Sequence, residues 1–292
     1  MKFQDPWTSQ TSLTFSVTEF LEGFESEFQR IDVFETEEWG TVLALGGVTN
    51  VTDRDESPYH EMLAHIPLCA HPEPKRVLII GGGDGGTLRE VLRHPGVEKA
   101  VLVDIDGEVI RCAKTYFPEM AAAMDSPRAE VIVGDGLAYV EQAAKNGEEF
   151  DVVLIDSTDP VDAAVELFTE HFYRSCAKLL GDHGILVPQS DSPVFCIDRV
   201  KQIHDTLDEI FETVAPYLAQ CVAYPGGYWC FVAATNGPAA RASLRPERLE
   251  PFADRLRYLN AGVADACFAL PQYVVHGIAG TRPSVPGRMI SE

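Results

Sequence analysis

Aspartates recur in this chain where alternating strands and helices would bind a ligand. Asp84 lies in Gly81-Gly82-Gly83-Asp84-Gly85-Gly86, directly after the apolar run Val77-Leu78-Ile79-Ile80. Asp104 follows Ala100-Val101-Leu102-Val103, and Asp135 follows Val131-Ile132-Val133 and Gly134. Asp156 closes Val152-Val153-Leu154-Ile155, and Asp159 stands just beyond it in Asp156-Ser157-Thr158-Asp159-Pro160. Ligands of open α/β sheets sit outside the carboxyl ends of the strands. One aspartate there is commonly a helix cap or turn residue. Four successive strand ends behind a glycine loop describe a pocket. Asp104, about 18 residues past the last glycine, suits hydrogen bonds to both hydroxyls of a ribose. Asp135 suits the exocyclic amine of an adenine. Asp84, Asp156 and Asp159 then remain near the reacting end, with no basic residue among them. Such a cluster holds a multiply cationic group. An alkyl ammonium has a pKa of about 10 and attacks only after losing a proton, which a neighbouring carboxylate can take.

The glycine run contains G-x-G-x-x-G, which serves NAD, FAD and adenosyl-sulfonium sites alike. Its context says more. The four apolar β-branched runs alternate with stretches of helical spacing at 86–94 and 107–117, as a parallel sheet covered on both faces requires. Further strands are expected at Ile185–Val187, near Gln220–Ala223 and over Tyr228–Ala234, completing a doubly wound, mostly parallel α/β sheet. Ahead of it, Thr14–Thr18, Ile31–Phe34, Thr41–Leu45 and Val48–Thr52 read as a small antiparallel sheet, and Tyr59–Leu68 as a helix stopped by Pro72 and Pro74. The expected division is an N-terminal β-strand domain over 1–58 and a Rossmann-like catalytic domain over 59–292.

The 292 residues carry 45 Asp and Glu against 23 Lys and Arg, a formal net charge of -22. That excess repels nucleic-acid phosphates and anionic membranes and draws in cations, although solubility alone also accounts for it. No apolar run approaches a membrane span. The N-terminus lacks the apolar core of a signal peptide, and the seven cysteines form no CxxC pair. A cytoplasmic protein without disulfides is expected. His60, His65 and His71 fall near one another but without a second ligand group at suitable spacing, so no metal site is expected.

Several segments together resemble the spermidine synthase (polyamine aminopropyltransferase) family. They are Tyr59-His60-Glu61-Met62-Leu63-Ala64-His65-Ile66-Pro67-Leu68, the run from Val77 to His94, Val133-Gly134-Asp135-Gly136 and Asp156-Ser157-Thr158-Asp159-Pro160. Shorter matches occur at Ser26–Gln29, Thr52–Glu56, Tyr224–Gly227 and Phe268–Pro271, so the likeness runs from about Trp7 to Tyr273. It implies a methyltransferase-like fold and transfer of an aminopropyl group from decarboxylated S-adenosylmethionine to putrescine. The products would be spermidine and methylthioadenosine. No cofactor is implied beyond that co-substrate, and the partners are the adenosyl-sulfonium donor and a cationic amine. A homodimer or homotetramer built on the N-terminal sheet is also implied.

By the same resemblance, Asp156 is the proton acceptor, and Asp159 with Tyr59 places the amine. Gln29, Asp104, Asp135, Gly136 and Ala163 attend the donor nucleoside. His60, Asp84, Ser157, Thr158, Gln189 and Tyr224 line the polyamine path. The chain departs from the family pattern at Gly46 (usually Asp), Asn50 (usually Gln), Ser57 (usually Phe), Asp104 (usually Glu) and Asp162-Ala163 (usually Gly-Pro). Smaller residues at 50 and 57 are expected to widen the acceptor pocket. The competing readings are the same chemistry on cadaverine, agmatine or spermidine, a non-catalytic binding paralogue, and a methyltransferase or NAD enzyme. Asp84 opposes a methyltransferase, because an ordinary methyl donor carries a carboxylate that Asp84 would repel.

Overall fold

A computed structural model of the chain describes residues 1–158 and 162–281. It opens with β1 (Lys2–Pro6), β2 (Ser12–Glu25), β3 (Arg30–Thr36), β4 (Gly40–Leu45) and β5 (Val48–Thr52). Each pairs antiparallel with the next, giving a five-stranded meander. Opposed residues such as Ile31 with Leu45 and Val33 with Leu43 share its buried face.

Then follow α1 (Glu56–Ala70), β6 (Arg76–Gly81), α2 (Gly86–Arg93), β7 (Lys99–Asp104), α3 (Gly107–Tyr116) and the single turn α4 (Pro118–Ala121). After them come β8 (Ala129–Val133), α5 (Gly136–Asn146), β9 (Phe150–Asp156), α6 (Glu170–Ala177), β10 (Leu180–Pro188), α7 (Ile197–Asp208), β11 (Thr213–Ala219) and β12 (Trp229–Thr235). The second sheet has the order β11-β12-β10-β9-β6-β7-β8. The ladders from β10 to β8 are parallel, and β12 is antiparallel to both β10 and β11. From β6 the chain moves outward through β7 and β8, then returns to build β9 and β10 on the other side. The order therefore reverses between β6 and β9, where open α/β sheets form their binding crevice. Gly81 and Asp156 face each other across that point.

Side chains of the central strands divide by parity. Val77, Ile79, Val152 and Leu154 pack with α1 and α2 on one face, and Leu78, Ile80, Val153 and Ile155 pack with α6 and α7 on the other. Helix α1 begins three residues before its expected start and is buried almost all round. Such burial leaves it without the amphipathic stripe of a surface helix. The two sheets meet through Ile31, Val33, Leu43 and Leu45, which pack on Val109, Cys112, Phe117 and Met120.

Two strand expectations need correction. The strand placed near Gln220–Ala223 is instead Thr213–Ala219, and 220–223 belongs to the connection before β12. The Val131–Val133 run is not covered on both faces: β8 is an edge strand, and Val133 is 61% exposed. Among the described residues, no helix is long and apolar enough to cross a membrane.

Candidate active site

The carboxyl ends of β6, β7, β8 and β9 open into a cavity of about 490 Å³, roofed by the turns of the small sheet. Its acidic end is assembled by the glycine loop. Gly81 has φ +82°, and a Cβ there would lie 2.2 Å from the Asp156 carbonyl oxygen, so only glycine lets the loop pass over β9. Gly86 is constrained by packing: its Cβ would sit 2.2 Å from the His60 ring. Between them, Asp84 is buried, and its Oδ1 accepts from the Gly86 N–H at 2.7 Å.

Asp156 is held on both sides. The Tyr59 hydroxyl donates to its Oδ1 at 2.8 Å, and the Thr87 hydroxyl donates to its Oδ2 at 2.6 Å. Burial, and then the neighbouring Asp84 charge, push its carboxyl up to about 6. His60 lies over the same cluster, with Nδ1 2.7 Å from Glu56 Oε2 and Nε2 3.3 Å from Asp84 Oδ1. Burial alone would lower its pKa, but those two carboxylates raise it to about 10. In return Asp84 is held below the usual carboxylate range, the His60 charge outweighing its burial.

At the opposite end, Asp104 Oδ2 accepts from the Gly83 N–H at 2.8 Å and Oδ1 from the Asp106 N–H at 2.8 Å. Burial holds its carboxyl at about 6, despite those two donors. Each oxygen keeps a second lone pair for a ligand. Asp135 caps α5 by accepting from the Ala138 N–H at 3.0 Å, yet it also borders the cavity beside Gly136. Here the capping and binding readings coexist. Gln29 reaches the cavity and donates to Asp106 Oδ2 at 3.2 Å, an atom that also accepts from Ser26 Oγ at 2.7 Å.

An aromatic wall runs along the acidic end. The Tyr59 and Tyr224 rings are 5.7 Å apart, Tyr224 and Trp229 4.8 Å, and Tyr59 and Phe231 5.2 Å. The Tyr224 hydroxyl donates to the Asn50 carbonyl, tying the wall to the small sheet. Gln189 is buried with both ends of its amide engaged: Nε2 donates to the Ser157 carbonyl at 3.1 Å, and Oε1 accepts from the Asp191 N–H at 3.0 Å. Ser157 and Thr158 also border the cavity. The described lining includes five carboxylates (Asp84, Asp104, Asp135, Asp156 and Glu166) and neither lysine nor arginine. A ligand for this space carries positive charge.

The family model for the spermine/spermidine synthase domain matches residues 56–243, and that for the spermidine synthase tetramerisation domain matches residues 3–53. The chain belongs to the spermine/spermidine synthase family. It is 42% identical to polyamine aminopropyltransferase 1 of Bacillus cereus, over 93% of this chain and 97% of that one. It is 43% identical to the polyamine aminopropyltransferase of Thermotoga neapolitana, over 86% of this chain and 84% of that one. A crystal structure of a spermidine synthase in complex with the transition-state analogue AdoDATO superposes with a TM-score of 0.91 at 40% identity. The match covers 96% of this chain and 95% of the other. The spermidine synthase from Thermotoga maritima gives 0.90 at 40% identity, covering 96% and 94%. The chain is thus a transferase, a polyamine aminopropyltransferase in class.

Within this synthase-family site, Gln29, Tyr59, His60, Asp84, Asp104, Asp135, Gly136, Asp156, Ser157, Thr158, Gln189 and Tyr224 all border one cavity. Asp159, and the side chains of Asp162 and Ala163, lie outside the described residues. Ser57 does not border the cavity; its buried hydroxyl donates to Glu56 Oε1 at 3.1 Å. The three nearby histidines also separate. His60 enters the site, His65 bonds Glu90 and His94, and His71 lies beside Asp151. Missed by the sequence reading were Glu56, Arg89, Trp229 and Glu166. Only Glu56 left a signal, its i,i+4 spacing to His60 on one helix face.

Proposed function

We propose that this enzyme transfers the aminopropyl group of decarboxylated S-adenosylmethionine to putrescine, releasing methylthioadenosine and spermidine. The observation that carries the reading is the pair Asp84 and Asp156, held side by side where the strand order reverses, in a lining that has no lysine or arginine among the described residues. Asp104, Asp135 and Gln29 would receive the nucleoside, and Asp84 the aminopropyl ammonium. The amine would enter along Tyr59, Tyr224 and Trp229, with Asp159 taking its far end. The near ammonium loses its proton to Asp156. Its lone pair then forms a C–N bond to the methylene carbon as the C–S bond breaks, and that electron pair passes to sulfur. A sulfonium is already an activated leaving group, so the step calls for no metal and no covalent nucleophile. Asp156, raised towards neutrality, suits a general base, whose effectiveness is greatest when its pKa lies near the working pH.

Asn50 favours a second reading in which the acceptor is longer: it borders the cavity, and its side chain is one methylene shorter than the glutamine usual in the family. The match of residues 3–53 to a tetramerisation domain supports assembly through the small sheet into a dimer or tetramer. The deciding experiment incubates the enzyme with decarboxylated or ordinary S-adenosylmethionine across diaminopropane, putrescine, cadaverine, agmatine and spermidine. Turnover confined to the decarboxylated donor, with putrescine fastest, is expected. A flat amine profile refutes an acidic pocket that gauges length. An optimum at cadaverine, agmatine or spermidine selects the second reading.

A further inference from the structure

His60 is 3% exposed, and carboxylates approach both of its ring nitrogens: Glu56 Oε2 at Nδ1 and Asp84 Oδ1 at Nε2. A neutral imidazole has one N–H and one lone pair, so in either tautomer the lone pair would face a carboxylate oxygen. Only the imidazolium donates to both. Its second carboxylate is not left to water. Glu56 is buried; its Oε2 also accepts from Arg89 Nη2 at 2.7 Å, and its Oε1 accepts from Ser57 Oγ at 3.1 Å. Arg89 is anchored in turn, its Nε donating to the buried Glu90 Oε1 at 2.6 Å. Glu90 further accepts from Arg93 at 2.6 Å and contacts His65 at 3.1 Å. An alternating row of charges therefore runs from the α1–α2 contact into the cavity.

We propose that Glu56 and Arg89 are positioning residues that hold His60 as a permanent imidazolium against Asp84, fixing the oxygen with which Asp84 receives the donor's ammonium. The proposal rests on the reading of Asp84 as the ammonium's receptor. The groups that face His60 are Glu56 and Tyr59 from α1, Asp84 from the glycine loop and Asp156 from β9, with Arg89 of α2 reaching it through Glu56. Gly86, lacking a Cβ, lets the ring lie flush against the loop. His60 then plays no part as a base. It keeps Asp84 ionised beside Asp156, so that at neutral pH the two carboxyls do not share a proton as close carboxylate pairs otherwise do.

Replacing Glu56 by Gln removes one carboxylate, and His60 falls to a neutral ring donating to Asp84 alone. Asp84 and Asp156 lose their cation and hold protons to higher pH. In E56Q, kcat/KM should therefore fall about tenfold or more at pH 6.5 and recover by pH 8.5, with E56D and R89K intermediate. Loss of structure would instead lower the rate equally at every pH. The decisive readout needs no turnover. In the full-length wild-type enzyme with 15N-labelled histidine, using H60N for assignment, both His60 ring nitrogens should carry protons at pH 8. A neutral His60 there, or an unshifted E56Q profile, overturns the proposal. Absence of wild-type turnover with the decarboxylated donor would refute the functional reading while leaving the ring measurement to stand on its own.

Discussion

Replacing Asp156 by Asn should make the enzyme nearly inactive and, at neutral pH, more stable. The folded-state carboxyl titrates near 6, against an ordinary value of 3.8. A group raised in this way favours folding below its unfolded pKa, and that contribution is lost as the pH rises through 6. A shift of about two units corresponds to roughly 3 kcal/mol. Because the side chain is only partly buried, water screens this to about 1–2 kcal/mol. Asparagine has no charge to desolvate and keeps an oxygen for the Tyr59 hydroxyl, while the Thr87 hydroxyl can turn to accept. The variant should therefore melt about 2–6 °C above wild type at pH 8 and show little advantage at pH 4. Asp104 and Asp55 are raised by burial in the same sense, but they are common to both proteins and cancel. Loss of the general base should lower kcat by about 10²–10⁴. Thermal denaturation at the two pH values, with turnover on the same samples, provides the check. Equal melting differences at pH 4 and pH 8 would refute the electrostatic reasoning, and near-wild-type kcat would refute the role of Asp156.

Asp84→Asn should weaken decarboxylated S-adenosylmethionine by about 1.5–3 kcal/mol more than methylthioadenosine, since only the former offers an ammonium; equal losses by calorimetry would make Asp84 a turn residue alone. Gly86→Ala puts a methyl into the buried His60 ring, so kcat/KM should fall at least tenfold while circular dichroism stays native. An active G86A would show that the ring moves freely.

Legibility in the sequence followed burial. The runs at 77–80, 100–103 and 152–155 are covered on both faces, so each position is apolar and the strand is unmistakable. Thr213–Ala219 pairs on one side only and carries Pro216, which is tolerated at an edge but reads as a break. β2 was seen only over 14–18 because register shifts near Glu19 and Glu22 interrupt its alternation. Most of the cavity residues were legible because strand ends converge by topology, whatever lies between them in sequence. Arg89 was not, for its contact with Glu56 joins two helices and leaves no spacing to read, whereas Glu56 left only its i,i+4 spacing to His60.

The turn at Ser26–Gln29 belongs to the small sheet, yet its side chains fasten onto Asp106 at the head of α3. The cavity therefore straddles a seam between the two sheets. Any ligand bound there acts as mortar across it. At a hundred times its dissociation constant, such a ligand adds about 2.7 kcal/mol to whatever it bridges. Peeling the small sheet away then becomes harder with the logarithm of the ligand's concentration once that exceeds its dissociation constant. By the same reciprocity, loosening the turn would show first as a weaker hold on the nucleoside, long before any change in the chemical step.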